Sequence, residues 1–221
     1  MKNILTTCLF LCLLLTVHAA DNPNVKKLFT VTSGELKLTF MVGMDNRLYQ
    51  LGFGDVAREV EPPAKMPSRE WEFLPPYGNG VLTEPAIQAT HVDGNTSTEL
   101  HYTGHRTEAL TPGIEQTVIS LKDPAYPFTV DIYIKCYTDN SMMEIWNTVT
   151  HNEIGKVILH RFASAAPVVK AKEYWLTQFS GNYKREATLN EERLSEGVKI
   201  LDSKLGIRAH QMRIPSFILS L

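Results

Sequence analysis

The chain has 221 residues, of which 43% are apolar and 21% charged, and its formal net charge is -2 at pH 7. These proportions are typical of a globular protein and exclude an intrinsically disordered chain, a collagen-like repeat and a disulfide-dense small domain. No block of like charges stands out, which disfavours a nucleic-acid partner held by a basic face.

The first twenty residues are predicted to be a signal peptide. Lys2 gives a short positive start, residues 4–17 are almost entirely apolar, and Ala19 and Ala20 are the small residues that a cleavage site requires. Since this apolar run is short for a spanning helix, a retained membrane anchor is the less favoured alternative. We therefore expect an exported protein, periplasmic or extracellular, with no stable membrane anchor.

A single cysteine remains after the predicted cleavage. Cys8 and Cys12 lie inside the signal peptide, and neither follows the small-residue pair that precedes a lipidated cysteine. Cys136 lies in an apolar β-type run without a neighbouring cysteine. We expect it to be a buried core residue, so that the exported chain has no internal disulfide and depends on core packing for its stability.

Short β-type runs separated by turn residues follow the signal peptide. Residues 35–42 alternate polar and apolar side chains, and residues 47–51 resume the pattern after a turn, which predicts a hairpin. Residues 86–92 end at Asp93-Gly94-Asn95, a tight-turn signal, and residues 99–102 carry the chain back. The remaining candidate strands are 115–121, 128–137, 142–150, 157–166 and 174–179.

This pattern predicts one all-β domain over residues 21–221. The only plausible helix, residues 189–195, is too short to form a layer. Strands of this length with turn chemistry between them are typical of an antiparallel sandwich or barrel. The final apolar run, residues 217–221, is typical of a strand whose partners are missing, so we expect the sheet to be incomplete at its C-terminal edge.

A proline-rich stretch interrupts the strands. Residues 62–76 contain five prolines around Trp71, and β-type segments flank them closely, which favours a functional or packing loop over a domain linker. Trp71 and Tyr77 lie in this loop and are candidate substrate-binding residues that could stack on a sugar ring, the alternative being ordinary packing. Trp146 and Trp175 lie in strand-like runs, and we expect them to be core residues.

Other constellations favour structural roles. His101 and His105 have a metal-like spacing only on a helix, because residues four apart on a strand are about 13 Å apart. Glycine-rich phosphate loops and nucleophile-elbow motifs are absent from the sequence, and its carboxylates are scattered. Asn95-Thr96-Ser97 formally matches a glycosylation acceptor, but it also fits the tip of a turn, which we favour. We therefore predict no metal and no cofactor.

An ordered series of short motifs runs through the second half of the chain. These are Tyr126-Pro127-Phe128, 133–137, Glu144-Ile145-Trp146, Thr150-His151-Asn152, 157–159, 162–165, 179–186, Gly197, Asp202-Ser203, 206–210 and Pro215-Ser216-Phe217. In order and spacing they resemble the N-terminal β-sandwich of glycoside hydrolase family 36, the bacterial α-galactosidases. Residues 76–80, Glu84-Pro85-Ala86 and Asp93-Gly94 are similar to that domain's loop and hairpin. Tyr183 stands where the family usually has tryptophan, and Thr83-Glu84 stands near the place of a common basic residue.

The resemblance implies a parent reaction, the hydrolysis of terminal α-D-galactosides with retention through a glycosyl-aspartate. In that family a (β/α)₈ barrel follows the sandwich and carries both catalytic aspartates, the nucleophile within Lys-Trp-Asp. Because this sequence has no Lys-Trp-Asp, the resemblance implies a chain with no catalytic residue, a fragment or the product of a truncated gene. It would be the non-catalytic, carbohydrate-associated N-terminal domain of an exported α-galactosidase-like hydrolase.

Expected partners are an α-galactoside or related glycan and a barrel encoded in cis or elsewhere. The resemblance leaves a homo-oligomer open as a further partner, and in oligomeric relatives this loop reaches toward a neighbouring subunit's sugar pocket. Two alternatives stay open. One is a free-standing secreted carbohydrate-binding sandwich that uses Trp71 and Tyr77, and the other is a structural or oligomerisation module without a ligand.

Overall fold

The computed structural model describes residues 22–80, 82–170, 172–182, 184–202 and 213–220. The predicted signal peptide lies outside these residues, as do Tyr183 and the motif at 206–210. The chain divides into two compact units, one ending at Val168 and the other beginning at Val169. Among the described residues, no helix combines the length and apolar character needed to cross a membrane.

Twelve strands account for most of the described chain. In chain order they are β1 (Val25–Ser33), β2 (Leu36–Gly43), β3 (Leu48–Asp55), β4 (Ile87–Thr90), β5 (His101–Thr111), β6 (Ile114–Lys122), β7 (Phe128–Tyr137), β8 (Met142–His151), β9 (Ile158–Phe162), β10 (Trp175–Asn182), β11 (Arg185–Arg193) and β12 (Arg213–Ser220). Two one-turn 3-10 helices, Arg69–Trp71 and Thr138–Asn140, are the only helices among the described residues. The predicted all-β fold is confirmed.

The first unit contains three antiparallel sheets. Their strand orders are β1-β2-β3, β5-β6-β7-β8 and β4-β9. The predicted hairpin is confirmed, since β2 and β3 pair with Met41 opposite Tyr49. The predicted tight turn is also confirmed, because the His91 N–H donates to the Asn95 carbonyl at 2.8 Å.

The core of the first unit lies between the inner faces of the larger sheets. Alternate residues of β7 are buried, among them Ile132, Ile134 and Cys136, as the two-residue period of a strand requires. They belong to one apolar cluster with β2 residues such as Phe40, whose ring meets Phe73 edge-on at 5.0 Å. This arrangement is consistent with the predicted sandwich, and the expected burial of the Cys136 thiol is confirmed.

The second unit is a three-stranded antiparallel sheet with β10 between β11 and β12. The weak helix signal over 189–195 does not produce a helix, because Leu189 and Asn190 pair with β10 as part of β11. Ladder pairing satisfies the backbone there and outweighs a weak local helix preference.

The expectation that the final strand lacks partners is wrong for one of its two edges. Ile218 and Leu219 of β12 pair with β10. The other edge of β12 pairs with no strand of the described chain, and Phe217 is 60% exposed.

Candidate functional site

The segment from residue 62 to 85, which we call the proline-rich loop, is tied to the strands on both sides. The Phe73 N–H donates to the Leu48 carbonyl at 3.0 Å, which joins the loop to β3. Further along, the Tyr77 N–H donates to the Ile87 carbonyl at 2.8 Å, which joins it to β4. Phe73 and Leu74 are fully buried in the core. The loop is therefore part of the domain, as predicted, and its base has a fixed position.

A buried ion-pair network holds the base of the loop. The Glu72 carboxylate lies 2.9 Å from Arg69 Nε and 3.8 Å from Arg47 Nη1, and its side chain is 4% exposed. Arg47 also reaches Glu99 at 3.1 Å and Asp45 at 3.6 Å. Arg69 and Glu72 belong to the loop, whereas Asp45, Arg47 and Glu99 adjoin β2, β3 and β5, so the network attaches the loop to the sandwich.

Burial, more than the neighbouring charges, decides the pKa values of Glu72 and Tyr49 in this network. Burial raises the pKa of the Glu72 carboxyl above its ordinary value, although the hydrogen bond from Arg69 and the charge of Arg47 oppose the shift. Burial and the hydrogen bond to Asp45, which is 2.7 Å long, likewise raise the pKa of Tyr49. Arg47 Nη1 and Arg69 Nη2 are buried and have no hydrogen-bond partner among the described residues. The network thus orders the loop at an appreciable desolvation cost.

The two predicted substrate-binding residues lie on either side of this anchored base. Trp71 ends the 3-10 turn, whose Ser68 side chain caps it by accepting from the Glu70 N–H, and Trp71 itself is half-buried. Tyr77 is 43% exposed, while its carbonyl accepts from the Thr98 N–H at 3.0 Å. The structure therefore places both in one ordered loop with Tyr77 facing solvent. Their role in binding sugar stays a prediction.

The tip of the loop beyond Tyr77 is shaped by backbone geometry and carries an exposed apolar residue. Gly78 has φ +91°, and a Cβ there would lie 2.7 Å from the Ser97 side chain, so only glycine fits. Asn79 is buried, whereas Leu82 is fully exposed. The base of the loop is therefore buried, while Tyr77 and Leu82 near its tip are exposed.

The expectation that Trp146 and Trp175 are core residues is wrong. Trp146 is half-buried on the outer face of β8, and Trp175 is 41% exposed at the start of β10. Trp146 follows the alternation of its strand, because the residue after it, Asn147, is the one that is buried. Register, which the sequence run alone does not set, decides which face a strand tryptophan occupies.

Sequence reasoning missed a buried histidine beside the predicted turn. His91 Nδ1 lies 2.8 Å from Glu153, and its Nε2 lies 3.1 Å from the Thr98 hydroxyl. Its ring stacks on Tyr126 at 3.7 Å with an interplanar angle of 4°. The available clue was a histidine two residues before a tight-turn signal, but its partner Glu153 is 62 residues away in sequence.

Hydrogen bonds together set the direction of the pKa shift of Glu153, the carboxyl that contacts His91. Burial alone would raise the pKa of Glu153, but the hydrogen bonds from the Val92 N–H and from His91 outweigh it and lower the pKa below its ordinary value. The Asn95 side chain donates to the Tyr126 hydroxyl at 2.9 Å. The amide of the formal glycosylation motif is thus engaged in holding the turn, which agrees with the turn interpretation.

The two spaced histidines have separate partners. His101 Nε2 lies 3.2 Å from Glu99, whereas His105 stacks on Phe29 at 3.9 Å and its Nδ1 lies 2.7 Å from the Tyr102 hydroxyl. Across the described ranges, no group of three histidine, cysteine or acidic residues is placed to hold a metal ion.

Comparison with known proteins gives a family match over most of the chain. Residues 42–220 match the model of the glycosyl hydrolase family 36 N-terminal domain. Alpha-galactosidase C of Emericella nidulans is 23% identical over 158 residues, which are 66% of this chain and 21% of that protein.

Solved structures share the fold. The GH36 alpha-galactosidase AgaB of Geobacillus stearothermophilus superposes with a TM-score of 0.75 at 20% identity, over 84% of this chain and 30% of that one. The galactosidase domain of the alpha-galactosidase-sucrose kinase AgaSK gives a TM-score of 0.77 at 18% identity, over 88% and 31% of the two chains. A variant of the Geobacillus enzyme AgaA in complex with raffinose gives 0.75 at 20% identity, over 84% and 30%. This chain therefore spans less than a third of the relatives it matches.

Proposed function

Since the chain belongs to the N-terminal domain family of glycosyl hydrolase family 36, we propose that it is the non-catalytic, carbohydrate-associated domain of an exported α-galactosidase-like hydrolase. In this proposal the bond cleavage takes place in a (β/α)₈ barrel, supplied in cis or by another polypeptide. The domain supplies a surface that shapes access to the sugar site. The substrate class is a terminal α-galactoside, in keeping with the AgaA relative that is bound to raffinose.

The observation that carries the proposal is the construction of the proline-rich loop. Its base is secured by ion pairs of the buried Glu72 with Arg47 of the sandwich and Arg69 of the loop, whereas Tyr77 and Leu82 project into solvent. Burying charges is costly, and exposed apolar residues at a loop tip add nothing to the core. A preorganised loop of this kind contributes to binding because little conformational entropy is lost when a ligand or partner arrives.

The first experiment is to read the coding DNA downstream of the Leu221 codon. We expect an open frame that encodes a barrel with Lys-Trp-Asp and a later acidic partner. A stop codon at that point would contradict the cis arrangement and leave a barrel in trans or a free-standing binding module, which a glycan-binding assay on this chain would separate.

The second experiment measures activity directly. The purified chain should hydrolyse no chromogenic α-galactoside above a vector-only control, because residues 21–221 hold neither catalytic aspartate in this proposal. Turnover that co-purifies with the chain would overturn the non-catalytic role.

A third experiment tests the loop within the full-length hydrolase, if the frame continues. Tyr77→Ala should raise the KM for raffinose with little change in melting temperature, because the Tyr77 side chain is largely outside the core. Val92→Ala, at a similarly exposed position in the neighbouring turn, is the matched control and should leave KM unchanged. Equal KM values for Tyr77→Ala and the unaltered protein would remove Tyr77 from the sugar site.

The exposed edge of β12 favours a second role as an assembly module. Phe217 and Ile218 are large, apolar and more than half exposed on an edge strand. Edges of this kind pair with other chains unless they are covered. Light scattering on the purified chain tests this role. Stable oligomers that Ile218→Lys dissociates would support it, and a monomer at all concentrations would exclude it.

A further inference from the structure

The outer face of the four-stranded sheet carries an aromatic pair that the core does not use. Tyr133 of β7 lies directly opposite Trp146 of β8, and Val118 of β6 lies opposite Tyr133 on its other side. Both rings are half-buried, whereas the neighbours Ile132 and Ile134 are fully buried on the inner face. The three residues form one apolar row across β6, β7 and β8, which we call the aromatic row, and Arg106 of β5 lies opposite the buried Val118 at its far end.

The two rings are stacked with an offset. Their centroids are 5.2 Å apart and their planes differ by 3°. This geometry covers one face of each ring and leaves the opposite face outside the stacked pair. Trp146 stands on β8, the last strand of its sheet. A cross-strand pair of this type adds little to sheet stability for two large aromatic side chains placed outside the core.

A polar row lies on each side of the aromatic row, two residues along the strands, or about 7 Å, away. On one side, Ser120, Asp131 and Thr148 lie in register, and the Ser120 hydroxyl donates to the Asp131 carboxylate at 2.5 Å. On the other side, Gln116, Lys135 and Glu144 lie in register.

The second polar row is held in place by Tyr137. The Tyr137 hydroxyl donates to Glu144 at 3.0 Å, and Lys135 Nζ lies 5.1 Å from the centre of the Tyr137 ring. The carboxylates and the ammonium group thus have defined positions on either side of the aromatic row.

This alternation matches the chemistry of a pyranose ring. One face of such a ring is made of C–H groups that pack on an aromatic ring, while its hydroxyls radiate outward as both donors and acceptors. Carboxylates accept from these hydroxyls and an ammonium group donates to them. Galactose is well suited, because its axial hydroxyl leaves a continuous C–H patch on the opposite face.

We propose that Trp146, supported by Tyr133, is the stacking surface of a saccharide-binding site on this sheet, with Asp131 and Lys135 as hydrogen-bonding partners for a galactoside. The site lies on a different sheet from the strands that hold the proline-rich loop, so it is separate from the role proposed for Tyr77. Only the choice of galactose as the sugar rests on the proposed function.

The experiment follows the indole N–H signals of the purified chain by two-dimensional NMR while raffinose is added to millimolar concentrations. The three tryptophans give one signal each: Trp71 reports on the loop, Trp146 on the new site, and Trp175 on neither. We expect the Trp146 signal to shift along a saturable curve while the Trp175 signal stays in place. Maltose, which has no galactose, serves as the sugar control and should shift Trp146 less.

Variants separate binding from folding. Asp131→Asn should weaken raffinose binding about tenfold, since a neutral amide is a poorer acceptor for sugar hydroxyls. Trp146→Ala should abolish binding, with Trp175→Ala as the matched control that keeps it. If Trp146→Ala fails to fold, Asp131→Asn and Lys135→Met keep the stacking surface and still test the site.

Three outcomes would overturn the inference. The first is an unchanged Trp146 signal at saturating raffinose. The second is a shift of Trp71 alone, which would place the sugar at the proline-rich loop and leave the proposed function intact. The third is a Trp146 signal that responds to protein concentration and not to sugar, which would make this face a contact between copies of the chain.

Discussion

Two buried glutamates show how the same side chain meets opposite electrostatic conditions in this domain. Glu72, at the base of the proline-rich loop, is surrounded by the core, and desolvation raises its pKa. Glu153, beside the Asp93 turn, is covered by His91 but adjoins exposed residues, and hydrogen bonds lower its pKa. Each clamps a loop to the sandwich. Depth below the surface and the number of well-aligned donors decide the direction of the shift.

The largest effect is expected from Glu72→Ala. This change removes a buried side chain with its hydrogen bond to Arg69 and leaves the buried Arg47 without one of its counter-charges, and losing one partner of a buried ion pair costs roughly 3–5 kcal/mol. The free energy of unfolding in urea measures the loss.

Glu70→Ala is the matched control for that variant. Glu70 is exposed on the same 3-10 turn, so its free energy of unfolding should stay within about 0.5 kcal/mol of the unaltered protein. Equal stabilities of the two variants would mean that the network does not hold the loop.

A smaller loss is expected from His91→Ala. It removes a fully buried ring, its hydrogen bonds to Glu153 and Thr98, and its stacking on Tyr126, which together are worth about 2–3 kcal/mol. His151→Ala, at an exposed position, is the control. Chemical denaturation would show whether the contacts of His91 stabilise the domain less than those of Glu72, and a larger loss for His91→Ala than for Glu72→Ala would reverse the comparison.

The smallest effect is a pH dependence that separates the two glutamates. Because the folded-state pKa of Glu153 is depressed, its contribution is present above the unfolded pKa of about 4.3 and is lost as the pH falls through the lower folded value. Glu153→Gln should therefore be less stable than the unaltered protein at neutral pH, and the difference should shrink below pH about 4.

The pH dependence expected for Glu72 has the opposite sign. Its raised pKa means that the folded state binds this proton more tightly than the unfolded state, so protonation of Glu72 relieves a cost as the pH falls through its folded pKa. Melting temperatures of Glu72→Gln and Glu153→Gln from pH 3 to 7 test the two signs. Parallel curves for the two variants would contradict them.

Local patterns were enough to predict much of this fold. Alternation predicted β7 and β8, and the Asp93-Gly94-Asn95 turn was evident from its residues, because both depend on neighbours in sequence. The loop between β3 and β4 was recognisable from its prolines and from the strands that flank it. The short run at 189–195 was misjudged, since pairing with β10 decides its conformation.

Long-range partners set the limit of the sequence analysis. Nothing near His91 indicates Glu153, and nothing near Arg47 indicates Glu72, because each pair is joined only once the strands are in register. The same holds for Trp146, whose position on the outer face follows from the burial of Asn147 beside it. Composition and spacing suggested sugar stacking by loop aromatics, but they contain no information about which strand face an aromatic side chain occupies.

The buried thiol of Cys136 has a practical consequence for measurement. Burial raises its pKa, and both the low thiolate fraction and the surrounding core protect it from thiol reagents. In a preparation that begins after the predicted signal peptide, a fluorescent or spin label will therefore react selectively with a cysteine introduced at the surface, for instance at Tyr77→Cys. The slow modification of Cys136 itself then reports how often the interior opens, which gives the opening rate of the core without any substitution.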